Sequence, residues 1–81
     1  MEFQTGNLEP GLFYISLVPE AQRKLPWNNI ELNKTILCRR IRGPFKSEQE
    51  AKQEEQKLLN ENSNLETCVW LCPRRASPAM V

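Results

Sequence analysis

The sequence predicts a small α+β domain: a three-stranded sheet with one helix across one face, in the order strand, strand, helix, strand. Three observations carry that reading. Residues 12–18 and 66–72 are rich in strand formers and alternate faces over about the length of one strand. Residues 35–42 do the same with basic side chains on one face. Before the last strand, Ser47 is followed three residues later by Glu50, the capping-box spacing that starts a helix.

Taken in order, residues 1–10 have no period and carry Gly6, Asn7 and Pro10, so they read as a loose lead-in to a single domain over 11–73. The first strand, closed by Pro19, puts Phe13, Ile15 and Leu17 on one face and Tyr14 and Ser16 on the other. Residues 19–34 scatter Leu25, Trp27, Ile30 and Leu32 among polar neighbours, and Pro26 with Asn28 and Asn29 argues against one continuous helix. The segment is expected to fold over the sheet with a short helical turn at 19–24; the alternative is an exposed loop presenting Trp27 to a partner. The second strand, 35–42, directs Leu37 and Ile41 toward the helix and Cys38, Arg40 and Arg42 away from it. Pro44 cannot donate to a ladder and restricts Gly43, so the strand is expected to stop there, with Phe45 plugging the corner.

The helix is expected over 48–60. Its apolar stripe is thin, Ala51, Leu58 and Leu59, so only one face is buried, and Glu48 with Lys52 forms a favourable i,i+4 pair on the solvent side. An Asn-rich turn at 60–64 leads to the third strand, stopped by Pro73; residues 74–81 read as a disordered basic tail. A strand, helix and strand in one sheet favour a parallel crossover, and the first strand can be inserted between the other two. The core would hold Phe13, Ile15, Leu17, Leu37, Ile41, Phe45, Ala51, Leu58, Leu59, Val69 and Leu71.

Composition removes several function classes. With 81 residues the chain is one domain that buries only about 60% of its unfolded surface, too little for a large cleft. A net charge of +1 implies no global field for nucleic acid or acidic membrane. No apolar run approaches the roughly 20 residues of a membrane span, and residues 1–10 carry Glu2 and Glu9 without a basic start or apolar core, so a cytoplasmic location and no membrane partner are expected. There is no His and no Asp, which reduces the acid and base inventory to Glu, Lys, Cys and Tyr; no nucleophile has a visible activating base, and the chain reads as no enzyme. Cys38, Cys68 and Cys72 read as reduced packing thiols. Metal is not expected, because Cys68 and Cys72 lie roughly 13 Å apart along a strand. No cofactor is implied.

What remains is binding. The sheet face away from the helix would carry Tyr14, Ser16, Cys38, Arg40, Arg42, Cys68 and Trp70. Left open, that mixture of aromatic and basic side chains suits stacked bases and phosphates; covered by 19–34, it is simply core. Arg39, Arg40, Arg42 and Lys46 also gather at the strand and turn, opposite Glu48, Glu50, Glu54 and Glu55 on the helix, a segregation that orients a protein partner. Arg74, Arg75, Ala76 and Ser77 fit the loose basic pattern before a phosphorylated Ser. The leading expectation is a small macromolecule-binding module, an adaptor or inhibitor of a protein partner, through Arg39, Arg40, Arg42, Trp27, Trp70 and Tyr14. The alternative is nucleic-acid binding through the open sheet face.

The segment Arg40-Ile41-Arg42-Gly43-Pro44-Phe45-Lys46-Ser47-Glu48-Gln49-Glu50-Ala51 resembles the strand, Gly-Pro-Phe and capped-helix junction in the second half of SPOR domains. That resemblance covers about a quarter of the chain and implies a small sheet-and-helix fold. SPOR domains bind peptidoglycan strands stripped of their peptides, so it also implies a second alternative, glycan binding. The same junction resembles that of the arm-binding modules of tyrosine recombinases, which read DNA with a three-stranded sheet. Arg42 stands where an apolar strand residue is usual, and Pro26 with the Asn pair interrupts the place of the first SPOR helix. No ligand residues are carried over.

Overall fold

The computed structural model describes residues 2–74 and 77–81. Strand β1 is Phe13–Leu17, followed by a single helical turn α1, Glu20–Arg23, and helix α2, Ile30–Cys38. Strand β2, Arg40–Phe45, leads into helix α3, Glu48–Glu61; strand β3 is Thr67–Leu71, and a two-residue strand β4, Ala79–Met80, closes the chain. The sheet runs β2-β1-β3-β4 with every neighbouring pair antiparallel. Both β2 and β3 run against β1, so the β2-α3-β3 unit is a parallel crossover with β1 inserted.

The two faces of the sheet are covered by different helices. Alternation along β1 and β3 sends Ile15 and Val69 to one side, where they meet Ile41, Ala51 and Leu58, ringed by half-buried Phe13, Leu17, Phe45 and Leu65. The capping box holds α3 in place: Ser47 Oγ accepts from the Glu50 amide at 3.2 Å. The Glu50 carboxylate accepts from the Lys46 amide at 3.0 Å, one residue before the cap rather than at the cap itself. On the opposite side Tyr14, Val18, Cys68, Trp70 and Cys72 pack against Leu32 and Ile36 of α2.

The architecture therefore corrects the expected one in four places. The sheet has four strands, and helices cover both faces instead of one. The expected strand over 35–42 is helix up to Cys38 and strand only from Arg40. Leu32 and Ile36 stand four apart on one helical stripe, and Asn29 caps it, its Oδ1 accepting from the amides of Glu31 and Leu32. Gly43 and Pro44 do not end β2; they lie inside it, tolerated because β2 is an edge strand with register irregularities against β1. Gly43 is required there: at φ +127° a Cβ would lie 2.6 Å from Tyr14 Cδ1 and 3.0 Å from the Phe13 carbonyl oxygen.

Both ends of the chain are engaged. Gln4 lies along the outer edge of β2, its amide donating to the Arg40 carbonyl at 2.6 Å and its Nε2 to the Gly43 carbonyl at 2.9 Å, which blunts that edge. In the tail, expected to be disordered, β4 pairs Met80 with Trp70 and Ala79 with Leu71, and Pro78 is fully buried. Arg75 and Ala76, which carry part of the expected basic pattern before Ser77, lie outside the described residues.

Candidate functional site

Of the six side chains expected at a binding surface, three are structural. Tyr14 and Trp70 are 1% and 0% exposed, their rings 5.2 Å apart and inclined by 25°. Trp70 Nε1 donates to Ser16 Oγ at 2.8 Å, and Ser16 donates onward to the Ile36 carbonyl at 2.6 Å, so the indole is tied to α2 by way of the Ser16 hydroxyl. The Tyr14 hydroxyl accepts from the Glu9 amide at 2.8 Å. Arg40 is 8% exposed; its Cζ sits 5.7 Å from the Tyr14 ring centroid, while Nε donates to the Leu37 carbonyl and Nη2 to the Gly6 carbonyl at 2.9 Å. The open aromatic and basic platform does not exist: α2 lies over it, and neither ring can stack on a base.

The other three are accessible but separate in role. Arg42 is half-buried beside α3, with Nε 3.8 Å from Glu54 Oε1 and Nη1 donating to the Ile41 carbonyl. Arg39 follows α2, its Cζ 5.6 Å from the Phe3 ring centroid. Trp27 is free of both clusters and 52% exposed.

Trp27 belongs to an apolar projection that sequence reasoning assigned to the covering of the sheet. Only Leu32 of that set is buried; Leu25 is 37% and Ile30 83% exposed. The 25–30 loop is nevertheless ordered by its own hydrogen bonds. Leu25 donates to the Gln22 carbonyl at 3.0 Å, Asn29 donates to the Pro26 carbonyl at 2.8 Å, and the Asn29 side chain caps α2. Pro26 with Asn28 and Asn29 was legible as a break in the helix; the Asn29 cap that starts α2 was not read from them. An apolar loop held in one conformation loses little entropy when a partner covers it.

The thiols offer little chemistry. Burial pushes Cys68 up to about 11, against the pull of Arg23, and raises Cys72 above its ordinary value, opposed by Arg40; both are thus held as neutral thiols. Cys38 is exposed at the end of α2. Among the described residues no group of three or more His, Cys, Asp or Glu side chains could hold a metal ion, and no helix is long and apolar enough to cross a membrane.

No family model matches the chain, and neither the curated proteins nor the solved structures provide a match. The likeness of the 40–51 junction to SPOR and recombinase modules thus has no second source of support, and the site rests on its own geometry.

Proposed function

We propose that this chain is a non-catalytic protein-binding module that docks through the 25–30 loop. The observation that carries the reading is the joint exposure of Leu25 and Trp27 on a loop pinned at both ends and of Ile30 at the first residue of α2, while the chain's other tryptophan is fully buried. Tryptophan is enriched among the residues that dominate interface energies, and covering an isoleucine or leucine side chain completely contributes about 1.5–3 kcal/mol each. In this reading Tyr14, Trp70 and Arg40 hold the scaffold, while Arg39 at the far end of α2 and Arg42 beside α3 stand apart from the loop.

The test compares tagged wild-type chain with the double variant Trp27→Ala, Ile30→Glu in capture from native lysate after nuclease treatment. A stoichiometric protein retained by the wild type and lost by a variant of unchanged melting temperature supports the reading. Equal retention by both places the interface elsewhere, and material released by nuclease or raised salt favours nucleic acid instead.

A further inference from the structure

A second surface lies at the end of the sheet, where Leu17, Val18, Arg39, Asn64, Leu65 and Glu66 line a cleft of about 200 Å³. Part of its backbone is already engaged. The Leu17 amide donates to the Arg39 carbonyl, Val18 to the Glu66 carbonyl, Leu65 to the Asn62 carbonyl, and Asn64 to the Asn62 side chain. The polar side chains on its lining are those of Arg39, Asn64 and Glu66. Among the described residues neither Arg39 nor Glu66 has an ion-pair partner within 4.0 Å, and they do not pair with each other. Arg39 is steadied only by the Phe3 ring, 5.6 Å from its Cζ, which leaves the donors of its planar fork available.

From this we infer that the cleft binds a free aliphatic α-amino acid, its carboxylate on Arg39, its ammonium toward Glu66 and its side chain against Leu17, Val18 and Leu65. Two opposite charges that share a cleft without neutralising each other complement a zwitterion, and the apolar wall selects an aliphatic side chain. The volume equals that of roughly seven waters at about 30 Å³ each, the scale of a branched-chain amino acid.

The test is a titration followed by backbone amide NMR, using leucine, N-acetyl-leucine and leucinamide. Leucine is expected to shift the Leu17, Leu65 and Glu66 signals saturably in the millimolar range, with each blocked form at least about tenfold weaker, the scale of one charge-assisted hydrogen bond. Arg39→Leu should abolish the leucine shifts while leaving the signals of β3 unchanged. No saturable shift with leucine, or equal affinity for all three compounds, overturns the proposal. N-acetyl-leucine binding as tightly as leucine overturns the free amino acid and points to the C-terminus of a peptide. These three titrations use the wild-type chain, so the result stands whether or not the Arg39 variant folds.

Discussion

The two faces of the sheet are stabilised in different ways. The face under α3 is a thin aliphatic layer, Ile15, Ile41, Ala51, Leu58 and Val69, held by shape and burial, with polar contacts only at its margin, where Thr67 Oγ1 donates to Glu55 Oε2 at 2.8 Å and Arg42 faces Glu54. The face under α2 is built from large side chains with directional bonds: the Tyr14 and Trp70 rings stack, Trp70 donates to Ser16, Ser16 to Ile36, and Arg40 closes over Tyr14. A layer of the first kind tolerates a change of shape at the cost of a cavity. A network of the second kind also leaves unpaired polar groups behind when one member is removed, so the same truncation should cost more there.

The largest effect is expected from Trp70→Ala. It removes a fully buried indole together with the hydrogen bond to Ser16, a loss of about 3–5 kcal/mol. In a domain of this size that approaches the entire stability, so urea unfolding should show little cooperative native population. Leu58→Ala on the other face should cost about 2–3 kcal/mol, lowering the urea midpoint while leaving a folded, cooperative protein. If the two variants were equally destabilised, the contrast between the faces would be one of composition only.

A pH series sharpens the comparison further. Cys68 belongs to the α2 face, and burial raises its thiol from an ordinary value of 9.0 to about 11. The folded state therefore favours the neutral thiol. Its contribution is complete below pH 9 and is lost as pH rises toward 11, because the unfolded chain ionises first. Unfolding free energy should fall over that window in the wild type, and the slope should be reduced in Cys68→Ala. The smallest effect on stability belongs to Trp27→Ala, within about 0.5 kcal/mol, because its side chain makes no part of either face.

The same contrast explains what was legible in the sequence. The α3 side was readable because each signal is local: Ser47 with Glu50 starts the helix at the observed residue, and strict alternation places Ile15 and Val69. Ile15, Ile41, Ala51, Leu58 and Val69 of the expected core are buried there. The α2 side was read only in outline, as a segment folding over the sheet after a helical turn; α1 matches the turn and Leu32 the covering, while Leu25, Trp27 and Ile30 stay exposed. Its helix was missed because Thr35, Ile36, Leu37 and Cys38 carry strand propensity and too short a run to separate the two periods. The Leu32 and Ile36 stripe behind an Asn29 cap was the competing signal, and tertiary packing against Trp70 favoured it. Misreading that element put Leu37 on the α3 side, whereas it packs in the α2 cluster. It also left open whether Tyr14 and Trp70 were surface or core. The candidate site was half legible for the same reason: Trp27 was singled out, but Leu25 and Ile30 were not separable from Leu32 without knowing where α2 begins.

The most direct test of this account is acrylamide quenching of tryptophan emission in Trp27→Phe, which leaves Trp70 as the sole reporter. A sheet covered by α2 predicts blue-shifted emission that acrylamide barely quenches until the protein is unfolded. Red-shifted emission quenched freely in the native state would mean that the face is open, returning Tyr14, Arg40 and Trp70 to the surface and contradicting the assignment of Trp27 as the tryptophan that meets a partner.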